Sequence, residues 1–246
     1  MTTVVADELV LLGSLVALRD LQIIELGCGG AELTRRLVAT CPGCHVDALE
    51  VDERQHAKNL ERPDAAIAFT CAAAQEIPFE GERFDLALML KSLHHVPRSQ
   101  LDAALGEVRR VLKPGGLLYV SEPVFAGDLN EIIRLFHDEE DVRRAARLAL
   151  GRAVGSGEWE RVSESSFDLP VEFRDFSDFE RRIVNVTFAD HRLDGAAREQ
   201  VRQRFERHMG SAGAKFMRPM RIDLLRKRRC LLGPIRASSA DGADVS

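Results

Sequence analysis

Glu25, Gly27 and Gly29 form the densest chemical signal in the chain. The apolar run IIEL ends in a carboxylate and breaks into a glycine turn, IIELGCGGAELT, before a helical stretch resumes. Where a strand enters such a turn and a helix follows, the backbone can lie against a nucleotide. Residue types separate the candidate nucleotides. A P-loop needs four residues between its glycines and then Lys-Ser/Thr, which this stretch lacks. A dinucleotide turn needs G-x-G-x-x-G. Gly27 and Gly29 supply its first two positions, but the third is Glu32, whose carboxylate would face a pyrophosphate. A cofactor without phosphate, carrying a cationic amino group and a sulfonium, suits Glu25 at the strand end.

The next apolar run, HVDALEV (45–51), ends near Glu50, a carboxylate able to accept hydrogen bonds from two ribose hydroxyls. Further on stands CAAAQEIPFEGERFDLALMLKSLHHVP (71–97). In order and spacing these segments resemble the class I S-adenosylmethionine-dependent methyltransferases, over about Asp20 to Glu122 and more loosely in the final strand. ELGCGGA is similar to that family's E/D-x-G-x-G-x-G, with Ala31 where the last glycine stands. The resemblance implies S-adenosylmethionine as cofactor. Glu25 would hold the methionyl amino end, Gly27, Cys28 and Gly29 would lie against the cofactor, and Glu50 would take the ribose. Val51, Ala73, Ala74, Gln75 and Leu90 complete the implied set. Ala73 stands where the family carries an Asp that accepts the adenine amino group, and Gln75 is the replacement at hand. Loss of one such hydrogen bond weakens binding by about 1 kcal/mol.

Methyl transfer from a sulfonium is an in-line displacement, so alignment and exclusion of water matter more than a base. Candidates at the carboxyl ends of strands four and five are Lys91, His94, His95 and Glu122, with His137 further along. His95 resembles a position frequent in small-molecule members of the family, and His94 adjoins it; a loop-fixing histidine is the competing reading. CPGC at Cys41–Cys44 has no second close pair and reads as a turn, so no metal is expected. Where nucleic-acid amino methyltransferases carry N/D-P-P-Y/F, this chain reads LKSL. Lys91 occupies the place where a catechol-type metal site would want carboxylates, and the paired glutamates of protein-arginine methyltransferases have no counterpart at 91–98. What remains resembles the group that methylates quinones and other metabolites, implying a small-molecule acceptor, whose acidic group Arg218 or Arg221 could meet. Two alternatives stay open. One is an RNA or protein methyltransferase using the basic stretches Arg143–Arg152 and Arg226–Arg229. The other is a non-catalytic binder of the cofactor, or of a modified one, suggested by Ala31 and Ala73.

The elements that must position these residues alternate as strand and helix. LQIIEL (21–26), HVDALEV, AAIAFTCA (65–72), RFDLALML (83–90) and GLLYVSEP (116–123) read as strands, the fourth nearly all apolar as in a sheet covered on both faces. Helical spacing at Leu101, Ala104, Leu105, Val108 and Leu112 stops at KPGG. This is an α/β pattern. With the resemblance it implies a Rossmann-like, doubly wound, mostly parallel sheet of seven strands and a helical cap inserted after strand five. The expected organisation is a single domain, 1–246. It comprises an N-terminal helix within 1–20, a cofactor core at 21–122, a helical cap at 123–214, a final strand at 215–229 and a disordered tail at 237–246. GRAVGSGEWERVSESS (151–166) reads as a flexible connection, and nine of the twelve phenylalanines lie at 125 or beyond, promising apolar walls for an acceptor. At 246 residues and net charge −5 the chain is an ordinary globular protein poorly suited to phosphate backbones. No run reaches membrane-spanning length, and Asp7 and Glu8 precede Leu9–Leu18 where a signal peptide would be basic, so a cytoplasmic location is expected.

Overall fold

A computed structural model describes residues 3–185 and 193–229. Its centre is a sheet of parallel strands β2 (Gln22–Leu26), β3 (His45–Glu50), β4 (Ile67–Cys71), β5 (Phe84–Leu90) and β6 (Leu112–Pro123). They lie in the order β4-β3-β2-β5-β6, so the chain reverses direction across the sheet between β2 and β5. At such a switch point the following helices diverge and leave a crevice at the carboxyl ends of the strands. The apolar run in β5 is buried on both faces because helices cover both. On one face pack α1 (Glu8–Leu15) and α2 (Glu32–Thr40), against Ile23, Leu88 and Tyr119. On the other pack α4 (Leu101–Val111) and α6 (Glu140–Gly155), against Ala87, Met89 and Val120. The connection α3 (Glu53–Leu60) joins β3 to β4. Asp85 fixes the sheet's start by accepting the Gln22 amide and pairing with Lys113.

The sheet differs from the expected seven strands. Among the described residues nine strands share it, two of them the two-residue β1 (Thr3–Val4) and β8 (Met209–Gly210). The substantive difference is β7 (Trp159–Phe173), which runs antiparallel along β9 (Gly213–Lys227) through the stretch expected to be a flexible connection and within the segment expected to be a helical cap. Its polar composition hid it. β7 borders the sheet, touched on its far side, among the described residues, by β1 alone through Phe167 and Asp168, so seven of its fifteen residues are exposed while Trp159, Phe167 and Phe173 go inside. Gly151 to Gly155 are likewise the last residues of α6 and not a linker.

The other helices described within 123–214 are α5 (Asp128–Ile133), α7 (Phe176–Phe179) running into a π-turn at Glu180–Val184, and α8 (Gly195–Glu206). Five of the phenylalanines expected as pocket walls are taken up in a core instead. Phe173, Phe176, Phe179, Phe205 and Phe216 pack on one another with ring centroids 5.1–6.0 Å apart, forming a third core with Leu129, Ile132 and Val201. This core surrounds the part of the β7–β9 ribbon, Asp168↔Pro219 to Phe173↔Ala214, that continues beyond the carboxyl end of β6 at Pro123. The final strand begins at Gly213, two residues earlier than expected. The tail at 237–246 lies outside the described residues. Among the described residues no helix is long and apolar enough to cross a membrane.

Candidate active site

The turn after β2 is built around two left-handed glycines, Gly27 at φ 75° and Gly29 at φ 53°. They are needed for different reasons. A Cβ on Gly27 would stand 2.7 Å from the Ser92 Cβ, while one on Gly29 would meet nothing within 4 Å. Gly27 thus lets the chain itself pack closely: Ser92 donates its hydroxyl to the Leu26 carbonyl at 2.6 Å, locking β5 to the turn. Gly29 keeps its backbone open towards the crevice. Ala31 adopts φ 57°, so the departure from the glycine pattern leaves a strained, buried alanine at the N-terminus of α2. Both Gly27 and Cys28 donate their amides to the Leu49 carbonyl, and Asn59 donates its side-chain amide to the Gly29 carbonyl at 2.7 Å.

Glu50 is buried at the end of β3, where its two carboxylate oxygens accept the Gly29 amide at 2.7 Å and the Asp52 amide at 2.9 Å. Each oxygen retains a second lone pair for a ligand hydroxyl. Next to it Val51 is 66% exposed, an apolar face left open in a polar neighbourhood. Because Glu50 pairs with Cys71, the loop Ala73–Gln75 leaves β4 directly beside Val51. Leu90 closes the crevice from β5. These residues therefore fit a nucleoside: hydroxyl acceptors, an open apolar face and a permissive glycine backbone converge at one strand edge. Glu25 is buried near the end of β2, on the sheet face it shares with Glu50, and accepts the Thr34 hydroxyl. Burial pushes its carboxyl up to about 7 despite Thr34 and the nearby Lys91.

Beyond the ends of β5 and β6 lies a polar network. His94, buried, has Nδ1 against Glu122 and Nε2 3.4 Å from Glu139. Burial opposes charging this ring, but the two carboxylates win and raise it to about 9, so His94 is an imidazolium at neutral pH. Glu122 also accepts the Leu93 amide at 2.9 Å, and Glu139 is held by Arg143, which in turn donates to Asn130. His137 reaches the same Glu139 at 3.0 Å. His95 lies tilted beside His94 with centroids 4.1 Å apart; burial of its ring and its charged neighbour lower it to about 4, while the rest of the residue is exposed. His94, His95 and Glu139 bring possible metal ligands within 4.8 Å of one another. The two carboxylates are nevertheless already answered by His94 and Arg143. Lys91, at φ 59°, pairs with Glu8 of α1 at 3.1 Å.

Ser92, Asn59, Thr34, Glu8 and Glu139 escaped sequence reasoning because nothing local marks them; only the Glu139–Arg143 spacing of one helical turn hinted at a pair. Cys41 and Cys44, expected as a plain turn, are joined as a disulfide. The basic stretches do not act as units. Arg143 is buried on Glu139, Arg144 pairs with Asp141, Arg152 with Asp102 and Arg226 with Glu160. A cavity of about 410 Å³ lined by Arg144, Arg147, Arg161, Arg221, Glu164 and Asp223 lies beside α6. That is the far face of the sheet from Glu25 and Tyr119.

Residues 23–116 match a family model described as a methyltransferase domain. The chain is 28% identical over 194 residues to the 27-O-demethylrifamycin SV methyltransferase of Amycolatopsis mediterranei, covering 75% of this chain and 66% of that protein. It is 28% identical over 115 residues to methyltransferase GfsG of Streptomyces halstedii, covering 45% of this chain and 41% of that one. The matches thus span less than two thirds of these relatives' length. The crystal structure of a candidate methyltransferase from Bacillus halodurans C-125 superposes with a TM-score of 0.63 at 17% identity, covering 90% of this chain and 99% of that one, a likeness of fold. Glycine turn, switch point and family match coincide on one segment, residues 23–116, which is similar to a methyltransferase domain.

Proposed function

We propose that the protein is an S-adenosylmethionine-dependent methyltransferase that acts on a small-molecule acceptor. One observation carries the reading: buried Glu50 grips the Gly29 amide at the switch point while keeping lone pairs for vicinal hydroxyls. The relative named for a rifamycin precursor supports a small acceptor. Bound there, the cofactor supplies an electrophilic methyl group on a sulfonium. The chain's own residues do the positioning. Gly27 and Gly29 set the turn, Glu50 takes the ribose hydroxyls, Val51, Leu90 and Ala73–Gln75 cover the adenine, and the Glu25 side meets the cationic amino end. His94 cannot serve as a base, since its ring already holds both protons; it fixes the 93–95 turn through Glu122. His95, lowered to about 4, is a neutral but weak base, so the transfer relies on alignment of the acceptor beside this ring more than on proton removal by it. The helices α5, α7 and α8 on their extended ribbon form the cap that excludes water.

Calorimetry with S-adenosylmethionine, its demethylated product and NAD tests the cofactor. The first two should bind and NAD should not, and Glu50→Ala should lose about 2 kcal/mol, some thirtyfold in affinity. Binding of NAD without either sulfur compound would end the reading.

A further inference from the structure

The proposed reaction leaves one charged group unused at the site's edge. β9 passes the end of β6 at the Pro123–Met220 pair, and Arg218 stands two residues further, above the carboxyl edge where the parallel strands also finish. By strand alternation it shares a face with Met220, Ile222 and Leu224, which pack with Tyr119, Leu88 and α1. Arg218 therefore looks out over the face that also holds Glu25, Tyr119 and Ser121.

Its guanidinium is partly buried and has no hydrogen bond or ion pair among the described residues. Neighbouring arginines differ: Arg143 meets Glu139, while Arg161 and Arg221 share Asp223. Glu8, Glu122 and Glu139 lie near enough to act on Arg218 electrostatically, yet each is engaged, by Lys91, His94 and Arg143 respectively. A second observation points the same way. The Ser121 hydroxyl, on the same face of β6, is buried and has no hydrogen-bond partner among the described residues. Leaving a partly buried guanidinium and a buried hydroxyl unanswered is unfavourable, and an acceptor that meets the guanidinium removes the larger share of the penalty. A guanidinium offers a planar fork of donors that matches a carboxylate. The surrounding Glu8, Glu122 and Glu139 favour one negative charge over the two of a phosphate monoester.

We propose that Arg218 anchors a carboxylate on the methyl acceptor, making the acceptor an acidic small molecule; this rests on the methyltransferase reading. Benzoate and its uncharged isostere benzamide are the probes, titrated by ligand-observed NMR with and without saturating S-adenosylhomocysteine. Benzoate should bind at least tenfold more tightly than benzamide. Arg218→Gln should erase that difference while leaving S-adenosylhomocysteine affinity unchanged, and Arg218→Lys should retain part of it. Arg204→Gln, an exposed control on α8, should keep it whole. Equal binding of the two probes, or a difference that survives Arg218→Gln, overturns the proposal. So does inorganic phosphate binding more tightly than benzoate through Arg218. If Arg218→Gln fails to fold, an undiminished difference in Arg218→Lys overturns it instead. Failure of S-adenosylhomocysteine to bind would sink the methyltransferase reading separately, because the benzoate comparison is read in both states.

Discussion

At the scale of single residues, two buried ionisable groups carry the electrostatics of the site, and both have measurable consequences. His94 is held near 9 against an ordinary value of 6.5, so its folded value lies above its unfolded one. The stability it contributes is fully present below pH 6.5 and is lost as pH rises through 9. Urea unfolding between pH 6 and 9.5 should show that decline, and His94→Gln should flatten it. The substitution should also lower stability at pH 6 by about 3 kcal/mol, because Glu122 would lose its partner in a buried setting. Glu25 is raised from 4.5 to about 7 by burial. Its neutral form is favoured in the fold, so its contribution is present below pH 4.5 and lost as pH rises through 7. A cationic ligand beside it reverses the preference and releases a proton. Affinity for S-adenosylmethionine should therefore rise from pH 5 to 8, with proton release visible by calorimetry in buffers of different ionisation enthalpy. Glu25→Gln should abolish both effects.

The strand–turn–helix unit makes its own predictions, because its three small residues do different work. Gly27→Ala combines a left-handed backbone with a Cβ 2.7 Å from Ser92, a rigid neighbour, and should destabilise by about 2–4 kcal/mol. Gly29→Ala meets no obstruction and should cost only the backbone strain, about 1–2 kcal/mol. Ala31→Gly relieves strain at φ 57° but adds freedom to the unfolded chain, so it should stabilise by at most about 1 kcal/mol. Thermal unfolding of the three variants should give that order. A Gly29→Ala protein less stable than Gly27→Ala would show that Ser92 yields easily and does not hold the turn.

At the scale of the molecule, the region after β6 is tied to the sheet more firmly than a lid. Its phenylalanine core includes Ala214 and Phe216, and β7 pairs with β9 along its whole length. A fragment spanning 124–212 lacks β9, so it loses both the pairing partner of β7 and one wall of that core. The fragment should show no cooperative thermal transition, whereas the full chain should; cooperative melting of the fragment would show that this region folds as a domain of its own.

The chain's local chemistry determined the glycine turn and the acids beside it. Strands that are apolar on both faces, a glycine pair and acids at the strand ends are properties of short segments, and backbone sterics force the turn wherever they occur. The alternation of strand and helix likewise determined the parallel order and hence the crevice. Tertiary structure alone decided the rest. β7 is polar because it lies at an edge, and it becomes a strand only through β9, far along the chain. The phenylalanines read as pocket walls until Phe173 and Phe216 meet across that ribbon. His94 and His95 are adjacent and chemically alike in sequence. They separate into imidazolium and neutral ring because Glu122 and Glu139 pair closely with His94, while burial and the charge on His94 hold His95 neutral. Charge state is set by what surrounds a group in space, and Glu122 and Glu139 reach His94 only when the chain folds.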